Sequence, residues 1–304
     1  GSGTFYARVP GNFAGFPQGT PEYDKLMTGY LTQLENHLQQ KGWLGKEYVY
    51  WFDEPDAKDY PFVREGMEII RKNAPRLTRF ITEHAPGPDI MDVSEISCIV
   101  LHRLDKDEIT KLEKKGREFW SYLCTQPKHP WISLFIDHDA INLRAWLWLT
   151  YSYKLKGILI WNTNYWNSDE ASPPEMLQNP WEDPMSYMTY YWTAYEEVQP
   201  WGNGDGRFFY PPNRNPNVDK KKYLDPPVVS QRLEILRDGL EDYEYFLILQ
   251  NLIQKTKKHE EYKNLLEIPE NILKNGKEYS KDPLLMLDHR MKLGDAIEKL
   301  IKSK

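Results

Sequence analysis

The stretch EYVYWFDEP, residues 47–55, runs an apolar segment straight into two adjacent carboxylates, Asp53 and Glu54, and then a proline. Two acids serving one small space are proton-transfer equipment: one exchanges a proton with a reacting bond while the other holds a partner or balances charge. Their mutual repulsion helps one acid stay protonated near neutrality. The apolar segment reads as a strand, and in a regular strand neighbouring side chains point to opposite faces. The pair therefore shares a space only where the strand ends. Pro55 supplies that end, because it has no N–H for a ladder and pushes Glu54 towards an extended or turn conformation. The competing reading is a solvated turn with a helix-start acid.

Polar residues close the other apolar runs too: Glu83 and His84 after RLTRFIT, His102 and Arg103 in and after ISCIVLH, Thr125 and Gln126 after EFWSYLC, Asn162 and Asn164 in and after GILIWNT. Asp137 and His138 in FIDHD either orient a substrate or cap the helix that follows. Arg144, in an apolar helix, reads as a structural ion-pair partner. Asp205 in GNGDG lacks the regular acid spacing and terminal Glu of a calcium loop, so the turn needs no metal. His84, His102 and His138 with nearby acids sketch a metal-dependent hydrolase, but no H-E-x-x-H spacing supports it. No metal and no cofactor is expected. Cys98 and Cys124 sit in strand-like runs and read as small buried hydrophobes.

The elements that must position these groups alternate. Helical spacing of apolar residues fills 21–42, with Pro21 at its start and Gly42 as a stop, then 60–75, 105–118 and 137–157, the last apolar almost all round. Strand, helix, strand in succession implies a parallel sheet with helical crossovers. No G-x-G-x-x-G or P-loop follows any strand, which removes the nucleotide-binding versions of an open sheet. Polar groups at the ends of successive strands instead predict an α/β fold of the (β/α)8 TIM-barrel type. Long Pro-, Asn- and Asp-rich loops over 163–229 are expected to cover the site. A helix opens at Ser230, with Leu233, Leu236, Leu240, Tyr243, Phe246 and Leu247 as its expected buried side. The expected organisation is a catalytic barrel over 1–257 and a helical extension over 258–304.

Of 304 residues, 40% are hydrophobic, enough for a sizeable core. No apolar run approaches the roughly 20 residues of a membrane span. A net charge of −6 argues against nucleic acid as partner. Aromatic residues make up 14% of the chain, and several sit at strand–loop junctions, where flat faces can stack on sugar rings.

Three blocks carry a family resemblance: VYWFDEP; FIDHDAINLRAWLWLTYSYKLKGILIWNTNYW; and GDGRFFYPP leading into VVSQRLEILRDGLEDYEYF. In that order they resemble the catalytic domain of glycoside hydrolase family 123, the β-N-acetylgalactosaminidases. The resemblance implies a carbohydrate substrate with a terminal β-linked 2-acetamido sugar. It also implies a retaining mechanism through an oxazolinium intermediate, with Asp53 holding the acetamido N–H and Glu54 as acid and base. Trp161, Asn162, Tyr165 and Trp166 are expected to contact the sugar, with Trp51, His102, Tyr122, Asp137 and Asp205 completing the candidate set. An extracellular or periplasmic location follows from the resemblance alone. In the family the acid pair ends the fourth strand. TFYARV would then be strand three, and the four runs after the pair strands five to eight. Strands one and two are expected on a preceding segment or another polypeptide, with a homo-oligomer as the further option. The leading Gly1, Ser2 and Gly3 read as a cloning remnant. A non-catalytic sugar-binding barrel is the competing class, opposed by the intact acid pair.

Overall fold

A computed structural model of the chain describes residues 10–83, 90–168, 176–189 and 198–302; TFYARV and His84 lie outside the described residues. The protein is mixed α/β and divides into two compact units, 1–121 and 122–304.

The first unit opens with a hairpin, β1 (Asn12–Phe13) and β2 (Phe16–Pro17), followed by helix α1 (Pro21–Lys41). The Thr20 hydroxyl caps α1 by accepting from the Tyr23 N–H, and Gly42, at φ 67°, closes it in the left-handed region where glycine carries no Cβ penalty. Then come β3 (Val49–Phe52), α2 (Tyr60–Asn73), β4 (Arg79–Glu83), β5 (Ile96–Val100), α3 (Lys106–Glu113) and β6 (Glu118–Tyr122). Every residue of β4 and β5 is buried, the pattern of strands covered on both faces. On one face lie α1 and α2, whose Tyr23, Met27, Leu31, Val63, Met67 and Ile70 pack with Phe52 and Ile81 into one core.

The second unit holds α4 (Ile141–Ser152), β7 (Gly157–Leu159), the antiparallel pair β8 (Met185–Thr189) and β9 (Val198–Asn203), and the pair β10 (Phe209–Tyr210) and β11 (Val228–Val229). Helices α5 (Gln231–Thr256), α6 (His259–Tyr262) and α7 (Pro283–Lys302) follow. The sheet order is β3-β4-β5-β6-β7, so the strands lie in chain order, and the β3–β4 and β4–β5 ladders are parallel. These five strands are the five apolar runs from EYVYWFD to GILIWNT.

The structure departs from the sequence reading in four places. The 163–229 segment, read as loops, contains two antiparallel pairs, because its Pro and Asn composition hides pairings made between distant residues. The run ISCIVLH leaves the ladder at Val100 and turns into a single-turn helix, Leu101–Arg103. Helix α4 starts at Ile141 behind Ala140 with no side-chain cap, so Asp137 and His138 are not its cap. On α5 the buried side includes Gly239 and Asp242, while Leu240 is 46% exposed. Asp242 is there for charge: its carboxylate accepts from Arg144 Nε at 2.6 Å and from Trp148 Nε1 at 2.8 Å, which is the structural ion pair expected of Arg144.

Candidate active site

The acid pair is set by a register break. Tyr50 pairs with Phe80 and Phe52 with Ile81, so β3 spends one extra residue, Trp51, against β4. A bulge of this kind re-aims the side chains that follow. Phe80 and Ile81 face opposite sides, so Tyr50 and Phe52 do too, and Asp53 returns to the face of Tyr50. That face carries Tyr50, Asp53, Phe80 and Thr82; the other carries Phe52 and Ile81 into the helix-side core. The strand ends at Phe52, and Glu54 then adopts φ 42°, left-handed backbone that is uncommon for a residue with a Cβ. Such outliers gather where function over-determines the backbone.

One hydroxyl ties both acids together. Thr82 Oγ1 donates to Asp53 Oδ1 at 2.7 Å and accepts from the Glu54 N–H at 3.1 Å. Tyr50 donates its phenolic O–H to the same Asp53 oxygen at 2.5 Å and lies 2.8 Å from Thr82 Oγ1. Asp53 is exposed and Glu54 half-buried, so the locked carboxylate faces outward. Tyr50 is 39% exposed, yet loss of water around its hydroxyl, and then the Asp53 carboxylate, hold its pKa far above that of a free phenol. Tyr50 is a permanent donor here. Cys98, opposite Thr82 on β5, is fully buried, and burial first, then the charges of Asp53 and Glu54, push its thiol up. A thiol held protonated is no nucleophile.

The second unit gathers the aromatic candidates. Trp161, 43% exposed, donates Nε1–H to Asp205 Oδ1 at 3.0 Å, and its ring meets that of Tyr165 at 5.1 Å. Gly206, at φ 72°, lets the backbone pass close to the Trp161 ring and the Tyr165 side chain: a Cβ there would lie 3.0 Å from Trp161 Cζ2 and from Tyr165 Cβ. Asp205 itself is wholly enclosed, and burial pushes its pKa up to about 6 against the opposing pull of Trp161, the Gly206 N–H, Arg232 and Arg207. Its Oδ2 has no hydrogen-bond partner among the described residues. Asp205 therefore supports Trp161 from behind. Arg207, also fully buried, donates to Ser186 Oγ at 2.6 Å and Gln178 Oε1 at 2.8 Å, anchoring the loops to β8.

The remaining candidates are placed as follows. Trp51, the bulged residue, packs on the helix-side core. His102 lies in the single turn after β5, and Tyr122, 4% exposed, ends β6. Asn162 Oδ1 accepts from the Asn164 N–H at 3.0 Å as a turn, and Trp166 donates to the Phe209 carbonyl at 2.7 Å. Asp137 is exposed and accepts from Asn203 Nδ2 at 2.7 Å, while His138 Nδ1 bonds Ser133 Oγ. Among the described residues no group of three or more His, Cys, Asp and Glu could hold a metal ion. Sequence reasoning missed Tyr50 and Thr82. The available signal was their place on two successive apolar runs that pair, with Thr82 one position before Glu83.

Comparison with known proteins adds the following. The model of the family described as "Glycoside hydrolase 123, catalytic domain" matches residues 10–249. Among solved structures the chain resembles a family 123 glycoside hydrolase from Clostridium perfringens, studied for the details of glycolipid glycan hydrolysis, with 19% identity and a TM-score of 0.58 over 94% of this chain and 46% of that one. At that identity the likeness speaks for the fold, and this chain spans about half the length of its neighbour. A comparison with curated proteins finds no match.

Proposed function

Because the chain belongs to the family of glycoside hydrolase 123 catalytic domains, we propose that it is a retaining glycosidase that releases a terminal β-linked N-acetylgalactosamine, with the sugar's own 2-acetamido oxygen as nucleophile. The observation that carries this reading is the acid pair: two consecutive residues, one clamped by Tyr50 and Thr82, the other turned by a left-handed backbone. Enzymes with a protein nucleophile hold their carboxyl groups about 5–5.5 Å apart across the sugar, and inverting enzymes about 6.5–9.5 Å. Neighbouring residues are poorly suited to flanking a ring from both sides. They suit a division of labour on one side of it.

In this division Asp53 accepts the acetamido N–H, aims the amide oxygen at the anomeric carbon, and balances the cationic oxazolinium ring that forms. Glu54 protonates the departing glycosidic oxygen, then takes a proton from the water that opens the ring. The clamp on Asp53 Oδ1 means that little reorganisation is needed when charge develops, which is the economical way to stabilise a transition state. Trp161 and Tyr165 offer the apolar face for the sugar, with Asn162 and Trp166 beside them and His102, Tyr122 and Asp137 as further contacts. We read β3–β7 as strands four to eight of a (β/α)8 barrel, a reading supported by their chain-order arrangement and by the similar solved fold.

Turnover of matched N-acetylgalactosaminide and N-acetylglucosaminide aryl substrates tests the assignment. The galacto substrate is expected to be cleaved faster, and no turnover of either would leave only sugar binding. A thiazoline analogue of the oxazolinium ring should inhibit strongly, since it resembles what the site binds best. Asp53→Asn should weaken that inhibitor far more than it weakens the product sugar. Isolation of a glycosyl ester on Asp53 or Glu54 would sink substrate assistance.

A further inference from the structure

The segment joining β10 to β11 is built firmly. Trp181 donates to the carbonyls of Pro211 and Asn213, and the Arg214 guanidinium stacks 3.6 Å over its ring. Asn217 exchanges two hydrogen bonds with the Leu177 backbone, at 3.0 and 2.9 Å. Asp219 caps the turn by accepting from the Lys221 N–H at 3.1 Å and from the Tyr223 hydroxyl at 2.5 Å, and Lys221 Nζ sits 4.8 Å over the Tyr223 ring.

This rigid frame presents the wrong residues to water. Leu224 is fully exposed and Val218 75% exposed, and beside them Met176 and Leu177 are 54% and 48% exposed. Lys220, Lys221 and Lys222 are exposed between the two apolar tips. Between 213 and 227 there are four cationic side chains against two carboxylates, in a chain whose net charge is −6. A local positive patch on an acidic protein, studded with apolar side chains held outward, matches a surface that is anionic and has an apolar layer underneath.

We propose that this tip is an interfacial docking element that seats the second unit on an anionic lipid bilayer, with Lys220–Lys222 at the headgroups and Leu224 and Val218 inserted below them. The charge complementarity selects the partner: a soluble acidic polymer satisfies the lysines but offers nothing to Leu224. The proposal does not depend on the glycosidase reading, and its test involves no turnover.

The test is co-sedimentation of the 304-residue protein with phosphatidylcholine vesicles, with and without phosphatidylserine. Binding is expected only with phosphatidylserine and should weaken as salt rises. Replacing Lys220, Lys221 and Lys222 by Gln should cost on the order of 100-fold in affinity, at about fivefold per juxtamembrane lysine. Leu224→Asn with Val218→Asn should also lose binding, and both variants should melt close to the parent protein, because Leu224 and Val218 are exposed and the lysines give up only surface contacts, Lys220 to the Pro216 carbonyl and Lys221 to the Tyr223 ring. Undiminished binding by the Leu224/Val218 variant would overturn the proposal, as would equal binding to phosphatidylcholine alone. Equal affinity for soluble heparin would overturn it too, by reducing the patch to a polyanion site.

Discussion

Thr82 is the residue that ties the acid pair together, because its single hydroxyl donates to the Asp53 carboxylate and accepts from the Glu54 N–H. Thr82→Val keeps the shape and removes that hydroxyl. It should lower kcat about 10- to 100-fold on a 2-acetamido substrate, the scale of loss expected from small misplacement of reacting groups. Thr82→Ser should restore most of the activity, and failure of that rescue would assign Thr82 to packing alone. Glu54→Gln removes the proton donor and keeps the size. Its loss should be large for poor leaving groups and small for activated aryl glycosides, because only the former need protonation to depart. Equal losses on both would count against Glu54 as the acid.

At the scale of elements, two features decide the geometry: the bulge at Trp51 and the close approach of α4 to α5. The second rests on Gly239, where a Cβ would lie 3.2 Å from Arg144 Cα and 3.2 Å from Leu147 Cβ. Helix propensity alone would make Gly239→Ala stabilising by about 1 kcal/mol. Overpacking against a neighbouring backbone works the other way, at about 1–3 kcal/mol. Sterics should win, because the same approach carries the buried Arg144–Asp242 pair, whose geometry has little slack. The expected result is a lower Tm for Gly239→Ala in a thermal melt; a higher one would mean that the helices separate freely.

For the whole molecule, the pH dependence of stability has an identifiable buried contributor. Asp205 titrates near pH 6 in the folded protein against an ordinary 3.8, chiefly because it is enclosed. The native state therefore keeps a proton that the unfolded chain has released. Raising the pH between about 4 and 6 favours unfolding, and the effect levels off above 6. The loss across that window is roughly 3 kcal/mol, at about 1.4 kcal/mol per pH unit. Asp205→Asn keeps the contact to Trp161 and has no proton to lose. Its Tm relative to the parent should rise as pH goes from 4 to 7, and a constant difference across that range would mean that Asp205 does not titrate there. Arg207 and Arg232, both buried close by, are the charges that oppose the shift.

Much was legible from residue order alone. The five sheet strands, the start and stop of α1 and the start of α5 follow from local rules: apolar periodicity, Pro21 and Gly42 bounding one helix, Ser230 opening the other, and a proline just past the end of β3. Local rules act between neighbours in the chain, so they leave their mark in the sequence. Tertiary structure decided what depends on partners far away. The bulge that brings Asp53 onto the face of Tyr50 exists only against β4, and the hydroxyl that joins the two acids comes from residue 82. In the sequence Asp205 reads as a tight-turn residue and a candidate sugar contact. It is the enclosed support of Trp161, because the chain from 44 residues earlier folds over it, and no spacing in the sequence encodes that contact.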